Sequence, residues 1–317
     1  MPLRIVFFGT PAFAVPTLER LFASGHEVVA AVTQPDRPRG RGHRLQPSPV
    51  KSAAAGRVPV LQPMRLSDPG WLASFRDLRP DLGVVAAYGR ILPQPLLDLP
   101  RLGMLNVHAS LLPRWRGAAP VHRAVLAGDR ETGVTIMRVV LALDAGPMLA
   151  ARATAIAPDE TSAELETRLA SMGAELLAEI VDRVAAGPVE EVAQDERFVT
   201  YASRLERQES QVNWQRPATA IHNQIRGLQP WPLAAARLQG RRVLLLRSQV
   251  ADGRQSLAPP GVVERVERDA LLIAADPGLV RLTEIQLEGR SPVRVREFLH
   301  GRPVRAGERF EPLSADG

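Results

Sequence analysis

Leu3-Arg4-Ile5-Val6-Phe7-Phe8-Gly9-Thr10-Pro11 decides the fold. A continuous apolar run that stops at Gly-Thr-Pro reads as a strand buried on both faces, because a half-exposed strand would alternate polar and apolar residues. Pro16 suits the first turn of a helix that carries Leu18, Leu21 and Phe22. The chain therefore opens with a βα unit. Further buried strands are expected at 28–32, 82–86, 104–107 and 134–139, separated by helical or turn segments. The expected fold is α/β: a Rossmann-like, mostly parallel sheet with helices on both faces and ligands at the carboxyl ends of its strands. Gly9-Thr10-Pro11-Ala12-Phe13 lacks the second and third glycines of a dinucleotide fingerprint, so Gly9 is read as a tight turn and not as a nicotinamide or flavin site.

Farther along, Thr161-x-x-Glu164 is a capping box. Leu165, Leu169, Met172, Leu176 and Ile180 then recur at helical spacing until Gly187-Pro188. Residues 188–212 are polar and weakly periodic. After a helix over 217–227, short β-like runs at 242–246, 261–266, 271–274 and 279–287 indicate a small OB-like β-barrel. The expected organisation is a catalytic domain at 1–188, a linker at 189–212 and a barrel domain at 213–317. At 317 residues with 45% hydrophobic and 23% charged, two globular domains fit the length. No apolar stretch approaches the 18 or so residues that cross a bilayer, and the opening run is too short for a signal-peptide core, so a cytoplasmic protein is expected. Zero cysteines exclude disulfides and thiol nucleophiles, and six scattered histidines show no metal-ligand spacing. The net charge of +6 rests on arginine, since Lys51 is the one lysine. Residues 204–317 hold 18 Arg against 13 Asp plus Glu, a net +5, whereas the first 203 carry a net +1. Such an asymmetry suits a polyanion-binding appendage and also occurs in proteins that bind nothing charged.

Gly103-Met104-Leu105-Asn106-Val107-His108 carries the chemistry. On a strand, Asn106 and His108 share a face, so an amide and an imidazole project together at a carboxyl end. Asn can donate to an oxygen that becomes negative and His can exchange a proton near neutrality, which is what acyl transfer requires. On these residues alone, a strand-end pair that only caps backbone groups stays open.

Ser110-Leu111-Leu112-Pro113-Arg114-Trp115-Arg116-Gly117-Ala118-Ala119-Pro120 follows, then Leu143-Asp144-Ala145-Gly146-Pro147-Met148. With the Asn/His strand, this ordered set resembles the formyltetrahydrofolate-dependent formyltransferases. The resemblance implies that Asn106, His108 and Asp144 are catalytic, that Arg90, Ile91, Leu92 and Ser110 to Pro113 (Ser110, Leu111, Leu112, Pro113) contact the folate, and that 10-formyltetrahydrofolate is the cosubstrate with no metal. A loop from Gln34 to Lys51, with Arg37, Arg39, Arg41, Arg44 and Lys51, resembles the basic loop of the branch that formylates methionyl-tRNA. Asn223-Gln224-Ile225-Arg226, Pro230-Trp231-Pro232 and Glu297-Phe298-Leu299-His300-Gly301-Arg302 resemble that branch's tRNA-binding barrel. Initiator methionyl-tRNA is then the implied acceptor, met by the loop cations together with Arg114 and Arg116. The chain departs from the family pattern at Val140, Ala142, Ala145 and Pro147, and His122, where relatives carry Gln, reads as a wall residue. Another N-formyltransferase or a formyltetrahydrofolate hydrolase would share the Asn/His/Asp site, and an inactive RNA-binding relative is the reading of a different class.

Overall fold

The computed structural model describes residues 1–39, 44–251 and 256–313, the side chains of 37–39 and 44 excepted. The chain divides into two compact units. The first comprises Met1–Pro120, Thr132–Thr154 and Glu166–Ala202, and the second Val121–Glu131, Ala155–Leu165 and Ser203–Gly317.

The opening apolar run forms the strand Arg4–Gly9, buried almost throughout, in a seven-stranded sheet. Across the sheet the strands run Met148–Ala155, Glu131–Arg138, Met104–His108, Leu82–Ala86, Arg4–Gly9, Glu27–Val32 and Val60–Leu61. The five from Met104–His108 to Val60–Leu61 pair in parallel. Glu131–Arg138 is antiparallel to Met104–His108. Strand order reverses beside Arg4–Gly9, so the carboxyl ends of the central strands open a crevice on one edge. Phe8, Phe75 and Tyr88 pack beneath that edge, with Phe8 5.8 Å from Phe75 and 5.6 Å from Tyr88 between ring centroids. Gly83 has no room for a side chain, because a Cβ there would sit 2.6 Å from Met104 Cγ on the neighbouring strand. Met148–Ala155 is not expected from the sequence; its Met-Leu-Ala-Ala-Arg-Ala-Thr-Ala is alternately exposed and mixes short apolar residues with an arginine.

In the second unit, an antiparallel sheet runs Val263–Val266, Leu271–Ala274, Leu279–Leu287, Arg241–Val250, Ala234–Leu238 and Phe310–Glu311, with Val293–Arg294 beside Leu279–Leu287. Its ends meet: Phe310 N–H donates to Gly261 O at 2.8 Å and Val263 N–H to Glu308 O at 2.7 Å. A barrel leaves few unpaired strand edges. Ile221, Ile225, Leu245, Leu271, Leu282 and Phe310 are among the buried residues of its core. Two earlier pieces of chain belong to this unit. The helix Ala218–Gly227 approaches one of them so closely that a Cβ at Gly227 would lie 2.8 Å from Leu126 Cγ. The His222 ring bridges Ser248 Oγ at 3.0 Å and Pro158 O at 2.9 Å, and burial holds its imidazole below the usual histidine value. Trp231 is 54% exposed despite its flanking prolines.

The capping box forms as its spacing predicts: Glu164 N–H donates to Thr161 Oγ1 at 3.3 Å and Thr161 N–H to Glu164 Oε2 at 2.9 Å. It opens the 25-residue helix Ser162–Ala186. Arg247 grips the same carboxylate at 2.5 and 3.0 Å and, as the largest cause, lowers its pKa from the usual 4.5 to about 2. A depressed carboxylate contributes stability above its unfolded-state pKa and loses it as pH falls toward the folded value. Glu164→Gln is therefore expected to unfold at a lower temperature than the parent above pH about 5, with the gap closing toward pH 2. Melting curves across pH check this; parallel curves over the whole range would contradict it.

Candidate active site

Asn106 and His108 sit at the carboxyl end of the strand Met104–His108, the former half-buried and the latter 5% exposed. Asn106 lies opposite Val85 on one neighbour and Met137 on the other, and His108 opposite Thr135. The two side chains thus share one face. His108 Nε2 lies 3.0 Å from Trp115 O. A carbonyl can only accept, so Nε2 carries the proton in the neutral ring and Nδ1 is left as an acceptor. Nδ1 is 3.7 Å from Asp144 Oδ2. The carboxylate oxygen thus faces the ring nitrogen that carries no proton in this tautomer.

Asp144 arrives from a loop whose apolar side chains reach outward: Val140, Leu141 and Leu143 are 39%, 57% and 53% exposed. Polar bonds hold it instead. Gly117 N–H donates to Asp144 Oδ2 at 2.8 Å, and Arg138 N–H to Pro147 O at 2.9 Å. Asp144 adopts φ +47, a left-handed conformation that aspartate tolerates better than bulkier residues. Gly146 is required by space, since a Cβ would sit 1.9 Å from Arg138 O.

A segment that carries no signal in the sequence completes the site. Gln194 donates from Nε2 to Asp144 O and Gly146 O, both at 2.8 Å, and accepts from Arg116 Nε at 3.0 Å. Arg116 also pairs with Glu196 at 2.8 Å, and Tyr201–Ala202 pairs in parallel with Arg116–Gly117. Gln194 lies 50 positions from Asp144 in a stretch without periodicity, which is why no local pattern announces it. Arg116 is 3% exposed and spends its guanidinium inside this unit, whereas Arg114 is exposed, its guanidinium 5.1 Å from the Trp115 ring centroid. Arg116 has no outward face to offer a ligand.

The Ser110-Leu111-Leu112-Pro113 turn is braced from within. Ser110 Oγ donates to Arg114 O at 2.6 Å, and Thr135 Oγ1 links Ser110 O and Leu112 N–H at 2.7 and 3.2 Å. Leu111 and Pro113 are half-buried and Leu112 is buried. The Arg90-Ile91-Leu92 turn follows Leu82–Ala86 at the same sheet edge. Arg90 fixes it by donating to Met64 O at 2.9 Å, Leu92 is buried and Ile91 is 70% exposed.

The basic loop is a hairpin in which Arg37–Arg39 pairs with Arg44–Gln46. Arg41 lies outside the described residues, as do the side chains of Arg37, Arg39 and Arg44. Lys51 fastens its base, donating to Asp36 at 2.5 Å and Gln62 Oε1 at 2.9 Å. The lysine bond, with one from Gln62, holds Asp36 below the usual carboxylate range. His122 lies half-buried on the helix Pro120–Ala127, and burial pushes its imidazole below the usual value. Among the described residues, no group of three His, Asp or Glu could hold a metal ion, and no helix is long and apolar enough to cross a membrane.

Residues 3–181 match the formyl transferase family model, and 204–303 the model of the formyl transferase C-terminal domain. The chain is 48% identical over 97% of its length to the methionyl-tRNA formyltransferase of Methylococcus capsulatus, spanning 99% of that protein. It is 45% identical over 98% of its length to that of Stutzerimonas stutzeri, spanning 97%. Among solved structures, an N-formyltransferase from Helicobacter canadensis with folinic acid and dTDP-3-aminofucose matches at TM-score 0.68 and 18% identity, over 88% of this chain and 98% of that one. HypX from Aquifex aeolicus with tetrahydrofolic acid matches at 0.65 and 17%, over 94% of this chain and 47% of that one. At such identities the structural likeness is one of fold.

Gly146→Ala is expected to destabilise the protein by about 1–3 kcal/mol, the usual cost of overpacking a site that cannot give. Gly25→Ala, with nothing within 4 Å of the added Cβ, serves as the control. Denaturant melts compare the two; equal stabilities would contradict the packing argument.

Proposed function

The chain belongs to the methionyl-tRNA formyltransferases, and from that premise we propose how its own residues carry the transfer of a formyl group from 10-formyltetrahydrofolate to the α-amino group of methionyl initiator tRNA. The observation that carries the family is identity of 48% and 45% to two of its members along nearly the whole chain. What supports the residue assignment is the convergence of Asn106, His108 and Asp144 at one strand end.

The folate, when bound, supplies an electrophilic formyl carbon and a leaving nitrogen. The donor set of the crevice suits it: the exposed Ile91 offers apolar surface to a flat ring, and the braced 110–113 turn faces the same edge with backbone groups and half-buried side chains. Of the residues assigned to this subsite, Arg90, Ile91, Leu111 and Pro113 keep exposed surface for the ligand, whereas Leu92, Ser110 and Leu112 are buried and shape the two turns from within. As the neutral amine attacks, the formyl oxygen gains negative charge and Asn106 donates to it. His108 Nε2–H is the neutral ring's one donor, so it reaches that oxygen by sharing or leaving its bond to Trp115 O. Nδ1 takes the proton that the amine sheds, Asp144 stabilises the resulting cation, and the proton then passes to the departing nitrogen. The amine–formyl bond forms and the old carbon–nitrogen bond breaks, with no net change in protons.

The positive excess of residues 204–317 and the arginine loop supply charge for the tRNA. Of the remaining basic candidates, Arg114 is exposed, whereas Lys51 and Arg116 act within the fold, Lys51 by setting the loop's base and Arg116 by holding the Asp144 loop. The barrel within the second unit docks the tRNA body; of the stretch expected as a linker at 189–212, residues 189–202 belong to the catalytic unit and 203–212 to the barrel's unit. Both substrates are those of translation initiation, so the enzyme works in the cytoplasm.

Formyl transfer measured on charged initiator tRNA, charged elongator tRNA and an amino sugar tests the acceptor: the initiator is expected to win, and preference for the sugar would overturn the assignment. Asn106→Ala, His108→Ala and Asp144→Asn are each expected to lower kcat by about a hundredfold to a thousandfold. Near-parental turnover in any of them would remove that residue from the mechanism. Replacing Arg37, Arg39, Arg41 and Arg44 together by alanine is expected to weaken tRNA binding and flatten its log-log salt dependence by about 0.7–0.9 for each phosphate that is no longer neutralised. Titrations over a salt series read this, and an unchanged slope would take the loop away from the RNA.

A further inference from the structure

Asp144 is presented by a loop with little apolar anchorage, so its position depends on a few polar bonds. One of them holds its carboxylate and comes from Gly117 N–H at 2.8 Å. Two more hold the backbone, and both come from one side chain: Gln194 Nε2 donates to the carbonyls of Asp144 and Gly146, at 2.8 Å each. These carbonyls belong to the turn that contains the left-handed Asp144, with φ +47.

The amide of Gln194 has only one workable orientation. Arg116 Nε, 3.0 Å from Gln194 Oε1, can only donate, and the two carbonyls can only accept. Arg116 is itself fixed, being 3% exposed and paired to Glu196 at 2.8 Å. The segment carrying Gln194 is anchored on both sides. Before it, Met148 and Val192 exchange backbone bonds of 2.8 Å and Arg138 pairs with Glu191 at 2.7 Å. After it, Trp115 N–H donates to Thr200 Oγ1 at 2.9 Å and Arg116 N–H to Thr200 O at 2.9 Å. Glu196, Arg116, Gln194 and Asp144 thus form a continuous brace of polar contacts that ends on the backbone beside the carboxylate facing His108.

We propose that Gln194 is a positioning residue for formyl transfer: it acts through Asp144, setting the distance between that carboxylate and His108 Nδ1 without itself touching substrate. The proposal rests on the assignment of Asp144 to the reaction. Gln194→Glu is the sharpest perturbation, since it is isosteric and keeps the acceptor for Arg116. It also sets a carboxylate oxygen against two carbonyl oxygens in place of a donor, which pushes the loop away. Gln194→Met removes the bonds without adding charge. A misplacement of about an ångström can cost a hundredfold in rate.

The test is a double-mutant cycle with Asp144→Asn, read by single-turnover formylation, KM for both substrates and Tm. Each Gln194 variant is expected to lower kcat by at least about tenfold with KM within about threefold. In the Asp144→Asn background the same change is expected to cost less than about threefold, because a residue that acts through Asp144 has nothing left to position. A merely structural role would multiply the two losses instead, and that result overturns the proposal. Unchanged kcat in both Gln194 variants beside a crippled Asp144→Asn also overturns it, as does a loss that disappears on assaying well below a lowered Tm. Near-parental turnover in Asp144→Asn would sink the underlying assignment and is separable from these outcomes.

Discussion

The bond from Gly117 N–H to Asp144 Oδ2, 2.8 Å long, is the constraint on which the site depends. It joins two loops that leave different strands, and it points the carboxylate oxygen at His108. Everything nearby keeps that bond in place. Gly117 has φ +122, and a Cβ there would be 2.7 Å from Ala202 O, so the close approach of the 201–202 strand needs glycine. Gly146 yields to Arg138 O in the same way. Two glycines and one brace thus substitute for the apolar packing that the 140–146 loop lacks. A charge-bearing loop held by backbone donors keeps its carboxylate in a defined place.

The sheet accounts for why such an arrangement occurs at this edge. Parallel strands end together, so Leu82–Ala86 and Met104–His108 deliver the Arg90 turn and the Asn/His pair side by side. The antiparallel Glu131–Arg138 runs the other way, and its Thr135 braces the 110–113 turn from beneath. The loop that follows Arg138 then carries Asp144 back to the imidazole. The turn proposed to meet the folate and the proposed catalytic pair thereby follow from adjacent strand ends.

How much of this the sequence discloses follows from the range of each interaction. The buried strands announce themselves because both faces are covered and their residues are almost uniformly apolar, as in Arg4–Gly9 and Leu82–Ala86. Asn106 and His108 are legible because polar residues stand two apart in an apolar run. Thr161 and Glu164 are legible because a capping box is local. Met148–Ala155 escapes sequence reasoning because an edge strand with alternating exposure and alanines resembles a loop. Gln194 escapes it because its partners are fixed only by tertiary structure. Arg114 and Arg116 look alike in the sequence, yet these two arginines flanking one tryptophan face solvent and interior respectively.

The central claim is that His108 and Asp144 work as one unit, the carboxylate acting on the reaction through the ring it faces. Single-turnover formylation by His108→Ala, Asp144→Asn and the double variant tests this most directly. The double variant is expected to be no slower than the worse single variant within about threefold, as groups that act together are strongly non-additive. A double variant slowed by the product of the two single losses would show two independent contributions and contradict the account.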